Sequence, residues 1–376
     1  MQRKPPRGLD RAAFMSRHWQ REPLLVRRAF PGFVDPLSPR EVLALAAGDA
    51  AISRLVRRVR GRWSLEHGPI PASRFKQLPR RDWTVLVQDT NHFSAAAERL
   101  LAAFDFIPHA RIDDVMASYA TDGGGVGPHV DSYDVFLVQG RGQRRWRISR
   151  QRDHAFVPGL DIRILRRFTP TQEWVLGPGD MLYLPPGVAH EGVALGECMT
   201  WSIGMRAPDA SQIAEGFLDF LRDRVRAHGR YRDPGSAPAA HAGAIPPGLV
   251  GHVERAVAAI RWPKAQVHEF AGRLLSEPKA HVFFEPPARP LARRAFEARA
   301  RRDGLRLDGR SRLIFSGTMF FLNGERVQAP PAARRALRRL ANDRSLAPGE
   351  DAPRELWDLA HAWYRKGFLR TGRPKT

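Results

Sequence analysis

The sequence predicts a mainly β core, a double-stranded β-helix or jelly roll, followed by a helical domain and a C-terminal winged-helix-like α+β domain. Three observations support this order. Between about residues 52 and 220, short apolar or alternating runs recur between Gly, Pro and Asp turns. After Asp209 the apolar spacing becomes helical, and beyond Pro286 strand-like runs precede two helical runs. We therefore expect domains at 1–207, 208–285 and 286–376.

The N-terminal part combines an aromatic segment, residues 10–35, with one clear helix start. Ser38 precedes Pro39 and Glu41, the pattern of a capped helix. Strands are then expected at short apolar or alternating runs that include Trp83–Val87, Asp113–Tyr119, Asp134–Val138, Arg145–Ile148, Trp174–Leu176, Met181–Leu184 and Met199–Ile203. Strands of this length and spacing are typical of a jelly roll built from two sheets.

The helical domain is predicted from one apolar helix face and a second helical run. The face consists of Ile213, Phe217, Phe220, Leu221 and Val225. A stretch rich in Gly, Pro and Ala at 233–248 separates it from a helical run at 249–275. An apolar face of this kind packs into a core or forms a subunit interface. We expect it to support a homodimer.

The C-terminal segment shows both strand and helix patterns. Arg312–Phe315 and Met319–Leu322 are expected to pair, and Asn323-Gly324 is a strong hairpin turn. Helices are expected at about 330–341 and 353–366. Strands and short helices of this size predict a winged-helix-like module. Such modules bind DNA in some proteins and pack against other domains in others, so the fold alone does not assign a function.

Composition narrows the class of protein. The chain has 376 residues, 43% of them hydrophobic, which is enough for a sizeable core. Cys198 is its single cysteine, so an internal disulfide and a cysteine-based zinc site are both excluded. The sequence shows no export signal, and its apolar runs fall short of the roughly 20 residues that a membrane-spanning helix needs. We expect a soluble, cytoplasmic protein without a membrane partner.

The formal net charge of +22 raises the question of nucleic-acid binding. The arginines are spread along the whole chain and interleaved with Asp and Glu, and the clusters, such as Arg334-Arg335 and Arg338-Arg339, are small. Charge alone is therefore compatible with either a nucleic-acid site or solvated arginine-rich surfaces. Direct nucleic-acid binding is possible but not required.

Two histidines and an aspartate form the pattern with the clearest chemistry. His129 and Asp131 alternate on a predicted strand, so both side chains leave the same face. His190 follows a Gly-Asp turn, an apolar strand and a Pro-Pro-Gly turn. Two imidazoles and one carboxylate on one face are the ligand set of non-haem Fe(II) oxygenases, which leave open positions for cosubstrate and O₂. We predict that these three residues bind a metal.

These motifs resemble a known family. The blocks 129–140, 142–148 and 178–192 look like the JmjC-containing ribosomal oxygenases of the cupin superfamily, and more narrowly like bacterial ribosomal-protein arginine hydroxylases. The resemblance covers nearly the whole chain. It implies a JmjC jelly roll whose metal ligands hold Fe(II), used together with 2-oxoglutarate and O₂. It also implies hydroxylation of an arginine in a 50S large-subunit ribosomal protein, at the β-carbon.

The resemblance also implies roles for residues near the metal. It places Arg144 where a basic residue binds the distal carboxylate of 2-oxoglutarate, and alternation with Trp146 and Ile148 indicates that Arg144 points inward. Asp122 and Ser211 fall at substrate-binding positions, where a polar or acidic group would hold the target guanidinium. Four further residues are expected to line the pocket: Tyr119, Tyr133, Asp134 and Ser202.

Several alternatives remain open at this point. Within the same enzyme class, the target could be a histidine, or the reaction could be lysine demethylation. Outside it, the chain could be a non-enzymatic metal-binding regulator with a DNA-binding tail, or a sugar-binding or isomerase cupin. The last of these leaves Arg144 unexplained. The oxygenase accounts for the most residues.

Overall fold

The computed structural model describes residues 5–226 and 228–372. Its first part contains twelve strands, β1 (Leu24–Val26), β2 (Ser53–Val59), β3 (Arg62–His67), β4 (Trp83–Val87), β5 (Ile112–Ala120), β6 (His129–Val130), β7 (Val135–Gln139), β8 (Gln143–Ser149), β9 (Gln172–Leu176), β10 (Met181–Leu184), β11 (Ala189–Leu195) and β12 (Cys198–Met205). They form an eight-stranded sheet in the order β1-β10-β7-β12-β5-β4-β2-β3 and a four-stranded sheet in the order β6-β11-β8-β9. The jelly roll predicted from the strand pattern is confirmed.

The inner faces of the two sheets share an apolar layer. The large sheet contributes Leu137 and Leu182 to it, and the small sheet contributes Trp146, Ile148 and Leu176. Alternation along each strand produces this layer, because residues two apart share a face. Arg144, Trp146 and Ile148 are all buried along β8, as their spacing predicts.

The outer face of the large sheet is covered by the N-terminal segment and four helices, α1 (Arg11–Arg17), α2 (Pro39–Ala47), α3 (Ala72–Lys76) and α4 (Ala95–Ala102). Phe14 anchors this cover, with its ring centroid 4.8 Å from that of Tyr183. The predicted helix start is confirmed: Ser38 and Glu41 form a reciprocal capping box before α2. The larger apolar core of this part therefore lies between the large sheet and these helices, and not between the two sheets.

Three helices follow the jelly roll: α5 (Ala210–Arg222), α6 (Pro247–Ala258) and α7 (Lys264–Ser276). Asp209 caps α5, where the helical spacing begins. The prediction of one helical run at 249–275 is wrong, because the chain leaves the helix before Pro263 and α7 starts after it. A proline disfavours helical geometry in the residue before it, which explains the break.

The remaining elements are α8 (Arg293–Asp303), β13 (Leu305–Leu307), β14 (Leu313–Ser316), β15 (Met319–Leu322), β16 (Glu325–Val327), α9 (Arg334–Asp343), β17 (Ser345–Leu346), α10 (Arg354–Arg365) and β18 (Leu369–Thr371). β14 pairs with β15, as expected. Asn323-Gly324 joins β15 to β16, a strand that the sequence pattern missed. α8 was also missed: its sequence is mostly charged, and Phe296 and Ala300 are its buried residues.

The helical and C-terminal parts are not cleanly separate in space. Gly272 on α7 lies directly against the ring of Phe321 on β15. The division at residues 285 and 286 therefore stays a proposal based on sequence. Among the residues described, no helix has both the length and the apolar character needed to cross a membrane.

Candidate metal centre and cosubstrate pocket

The structure brings His129, Asp131 and His190 together at one end of the small sheet. His129 on β6 lies directly opposite His190 on β11. One ligand atom from each of the three residues lies within 4.8 Å of the others. Nε2 of His190 is 3.6 Å from Asp131 Oδ2, and Nε2 of His129 is 4.0 Å from Oδ1 of the same carboxylate. This spacing allows all three to approach one ion.

Backbone hydrogen bonds orient both imidazoles. Nδ1 of His129 lies 2.9 Å from the Gly127 carbonyl, and Nδ1 of His190 lies 2.9 Å from the Val188 carbonyl. A carbonyl can only accept, so each Nδ1–H donates and each Nε2 keeps its lone pair. Both Nε2 atoms therefore face the carboxylate in the tautomer that metal ligation requires.

His190 is kept neutral by its surroundings. Burial lowers the pKa of His190 to about 4, and the neighbouring His129 acts in the same direction. Below that pKa the ring would carry a proton on both nitrogens and could not bind a cation. At neutral pH the ring is uncharged, and its Nε2 lone pair is free to bind a metal ion.

Two glycines explain how the chain packs so tightly around this centre. A side chain at Gly127, which has φ +75°, would lie 2.9 Å from the indole of Trp63. A side chain at Gly192 would lie 2.7 Å from the indole of Trp146. Both contacts are too short for a Cβ atom, and Gly127 also adopts the left-handed backbone that glycine favours. The glycine-rich approach to His129 is thus a packing requirement.

Arg144 is a buried cation without a counter-charge. Arg144 is 5% exposed, and its Nη2 donates to the Ser118 hydroxyl at 3.2 Å. Its Nε has no hydrogen-bond partner, and within 5–226 and 228–372 no carboxylate forms an ion pair with it. Burying an unpaired guanidinium is costly. The open donors fit a ligand carboxylate, so the residues present suit an acidic cosubstrate.

The other pocket residues proposed from sequence have mixed positions. Ser202 is buried on β12 opposite Leu137, whose side chain belongs to the inner layer. Tyr119 instead belongs to the core outside the jelly roll, because it occupies the other face of β5. Asp134 is fully buried and accepts hydrogen bonds from Tyr183 at 2.6 Å and from Gln20 at 3.0 Å. Tyr119 therefore packs in the core on the other side of the large sheet, and Asp134 is held in a buried hydrogen-bond network.

Among the residues that the structure describes, Asp122 and Ser211 form no hydrogen bond or ion pair with His129, Asp131 or His190. Asp122 forms an ion pair with Arg81 at 3.0 Å and accepts a hydrogen bond from the Gly196 backbone. Gly196 follows the end of β11 and lies six residues from His190, roughly 20 Å along a strand. Ser211 is exposed in the first turn of α5. Their role in substrate binding stays a prediction.

Two residues on the inner face of β5 were not singled out from the sequence. Asp114, Met116 and Ser118 are two residues apart in turn and share one face of the strand, so the strand pattern could have identified both polar residues. Burial raises the pKa of Asp114 to about 6. Burial of its hydroxyl, together with the charges of Asp131 and Asp114, raises the pKa of Tyr133 above its ordinary value. Tyr133 is 39% exposed as a residue, so its ring is partly open to solvent.

Comparison with known proteins now gives the family. A model described as JmjC domain matches residues 99–213, and one described as ROXA-like winged helix matches residues 259–370. The Ribosomal protein uL16 3-hydroxylase of Escherichia coli K12 is 34% identical over 337 residues, which is 89% of each chain. This chain belongs to the JmjC ribosomal oxygenases. They are the 2-oxoglutarate-dependent enzymes that its motifs resemble, so the enzyme class and the winged helix are confirmed.

Other relatives agree with this family. A Probable ribosomal oxygenase of Haemophilus influenzae is 38% identical over 215 residues, 56% of this chain and 53% of that protein. The structure of the ribosomal oxygenase YcfD from Escherichia coli in complex with cobalt and 2-oxoglutarate has a TM-score of 0.82 at 32% identity, covering 96% of this chain and 98% of that one. The winged-helix match begins at residue 259, inside the predicted helical domain.

Proposed function

We propose that this ribosomal oxygenase uses Fe(II), 2-oxoglutarate and O₂ to hydroxylate a ribosomal protein, with His129, Asp131 and His190 as the iron ligands. One observation carries the proposal. The three ligand atoms converge within 4.8 Å, and the buried, unpaired Arg144 lies on the same inner face of the small sheet. A metal binds the first group and a carboxylate binds the second. A cosubstrate with metal-binding and carboxylate ends satisfies both.

The register of the small sheet supports this use of Arg144. Arg144 pairs with Ala194, and His190 pairs with Ile148, so the two functional residues lie four positions apart along β11. Their backbones are thus roughly 13 Å apart. An arginine side chain and a five-carbon dicarboxylate together span that separation. In this arrangement Arg144 donates to the distal carboxylate through its planar fork.

The protein contributes placement and shielding. Iron with 2-oxoglutarate and O₂ supplies the oxidising chemistry when bound. Asp131 provides the negative charge of the ligand set, and the two imidazoles keep their orientation through the backbone carbonyls. Trp146 and Val188, both buried, exclude water from the inner face. Such exclusion limits side reactions and strengthens the contact between Arg144 and its carboxylate.

For the substrate, we propose an arginine of the large-subunit protein uL16, hydroxylated at its β-carbon. The name of the Escherichia coli relative supplies the protein and the 3-position. Asp122 already binds the guanidinium of Arg81, and its side chain is 49% exposed. It lies farther from His190 along β11 than an arginine side chain reaches from its β-carbon, so we propose that it binds a basic residue of the substrate other than the target. Ser211 would add a hydroxyl from α5. Substrate binding would then require Arg81 to release Asp122.

The test is turnover of 2-oxoglutarate to succinate by the purified protein with Fe(II) and ascorbate, with and without isolated uL16. Mass spectrometry then locates the added oxygen. We expect uL16 to stimulate turnover and one arginine to gain the mass of one oxygen atom. Oxygen on a histidine, or loss of a lysine methyl group, would move the target to the alternatives of the same class. Absence of iron-dependent turnover would overturn the proposal.

We further propose that the protein is a cytoplasmic homodimer. Cys198 is buried and unpaired, which fits a reducing compartment. The helical part exposes apolar side chains that a monomer would leave in water, including Leu218 at 68%, Val253 at 53% and Val257 at 62%. Exposed apolar patches of this kind mark interaction sites. Val253 and Val257 share one face of α6, one turn apart.

The dimer makes a direct prediction for α6. Replacing Val253 and Val257 with lysine places like charges in the proposed interface, so the mass measured by light scattering should fall to that of one chain. Val34→Lys is the matched control, since Val34 is 82% exposed but lies in the N-terminal segment. An unchanged mass in the α6 variant would argue against this interface.

A further inference from the structure

A groove of about 620 Å³ opens beside the metal centre, outside the inner pocket. We call it the basic groove and define it by Arg58, Arg62 and Trp63 on one wall and Ile164, Leu165 and Phe168 on the other. Its floor includes Pro128, which precedes His129 in the chain, and Glu191, which follows His190. The groove is therefore immediately behind the proposed iron ligands.

The first wall is the hairpin of β2 and β3. Its two-residue turn, Arg60-Gly61, has φ +50° and +79°, and Val59 pairs with Arg62. The guanidinium of Arg58 lies 5.4 Å from the ring centroid of Trp63. In the part of the chain that the structure describes, Arg58, Arg60 and Arg62 form no ion pair, whereas the adjacent Arg57 is paired with Glu66 at 3.1 Å.

The second wall is the long loop between β8 and β9. It is anchored to the site, because the Leu165 N–H donates to the Pro128 carbonyl at 2.8 Å. Arg163, Arg166 and Arg167 are exposed on this loop, and the described residues include no carboxylate paired with any of them. The acidic groups nearby are Asp153 and Asp161 on the same loop, Glu173, which lies opposite the lining residue Arg147 on β9, and Glu191, which is paired with Arg147.

Positive charge is left unpaired here, whereas four of the five arginines of α8 have a carboxylate partner. On α8, Arg293 pairs with Asp358 at 2.8 Å and Arg301 pairs with Glu297 at 2.9 Å. Among the described residues, exposed arginines without a carboxylate partner also occur at Arg294 on α8 and at Arg335 and Arg338 on α9, in the C-terminal part of the chain. The second groove, which includes Arg57, Arg60 and Arg62, adjoins the basic groove on the same hairpin.

We propose that the basic groove binds single-stranded RNA, with bases against Trp63 and Phe168. The phosphates would lie on Arg58 and Arg62 of the hairpin and on Arg166 and Arg167, which are exposed between the lining residues Leu165 and Phe168. Cationic walls with aromatic side chains between them are the chemistry by which proteins hold single strands. Unpaired arginines on both sides favour a ligand with a regularly charged backbone. Since a ribosomal oxygenase meets its substrate among RNA and protein, RNA is the polyanion within reach. The proposal goes beyond hydroxylation and is independent of it.

The test measures binding of a fluorescein-labelled, mixed-sequence RNA oligonucleotide to the full-length protein by anisotropy over a range of salt concentrations. The groove variant combines Arg62→Gln, Arg166→Gln and Arg167→Gln. The control variant combines Arg294→Gln, Arg335→Gln and Arg338→Gln, which removes the same charge elsewhere. Both leave the iron ligands and Arg144 in place, and circular dichroism checks that both fold.

We expect the groove variant to bind RNA at least roughly tenfold more weakly and the control to bind like the wild type. Each lost phosphate contact lowers the slope of log affinity against log salt by about 0.7 for single strands, so the slope should fall by about 2. Equal loss in both variants, or no loss in the groove variant, would overturn the proposal. Tighter binding of labelled polyglutamate than of RNA would assign the groove to an acidic peptide instead.

Turnover separates this inference from the proposed enzyme activity. We expect 2-oxoglutarate consumption by the groove variant, measured with Fe(II) and isolated uL16 in the absence of RNA, to equal that of the wild type. If the wild-type protein turns over 2-oxoglutarate but does not bind RNA, the groove proposal falls and the oxygenase stands. If turnover fails while RNA binding persists, the reverse holds.

Discussion

The two faces of the small sheet treat arginine in opposite ways. Arg144 and Arg147 lie three residues apart on β8, and because side chains alternate along a strand they point to opposite sides of it. On the inner face Arg144 is 5% exposed and has no carboxylate partner among the residues that the structure covers. On the outer face Arg147 donates to Glu191, with Nε 3.1 Å from its Oε2. The outer arginine is satisfied by the protein, and the inner one needs a ligand.

This difference separates a structural arginine from a binding one. A buried ion pair that loses one partner leaves an uncompensated charge, which is strongly destabilising. The fold therefore accepts a cost at Arg144 that it avoids at Arg147. Costs of this kind are accepted where a ligand later provides the missing partner.

The largest effect is expected from the metal ligands on the inner face. His129→Ala removes one of three ligands, so 2-oxoglutarate turnover should be abolished, while circular dichroism and the melting temperature stay near those of the wild type. Glu191→Gln is the matched control, because Glu191 follows His190 in the chain but faces outward. Retained turnover in His129→Ala would remove this residue from the ligand set.

A smaller effect is expected from Arg144. Arg144→Met removes charge-assisted hydrogen bonds worth roughly 2–3 kcal/mol, so KM for 2-oxoglutarate should rise about 30- to 160-fold. The apolar replacement also removes an unpaired buried charge, so the ligand-free protein should melt at the same or a higher temperature. A lower melting temperature with an unchanged KM would instead make Arg144 a structural residue.

The smallest effect is expected on the outer face. Arg147→Met leaves the buried carboxylate of Glu191 without its partner, which should lower the free energy of unfolding by about 1–2 kcal/mol in urea titrations. KM for 2-oxoglutarate should not change, because Arg147 points away from the pocket. A rise in KM comparable to that of Arg144→Met would erase the contrast between the two faces.

Much of the fold was predictable because local patterns report local structure. Short, mostly apolar runs placed Trp83–Val87 and Met181–Leu184 at their observed bounds, and Ser38 with Glu41 marked the start of α2. Alternation predicted His129 and Asp131 on one face of a strand. The strand ends at Val130, but the two side chains still meet beside His190. By contrast, the arginine-rich α8 shows no apolar period, and Pro263 divides a run that reads as one helix. A method based on hydrophobic periodicity misses a helix with few apolar residues and a single proline break within a helical run.

The sequence by itself predicted the jelly roll, the proposed ligand residues and the inward direction of Arg144, because strand lengths, turn residues and alternation are all local patterns. Only the tertiary structure decided which charges find partners. Within residues 5–226 and 228–372 it left Arg144, Arg58, Arg60 and Arg62 without an ion pair, paired Asp122 with Arg81, and enclosed Asp134 in a hydrogen-bond network. Pairing depends on residues far apart in the chain, and spacing along one strand carries no information about them.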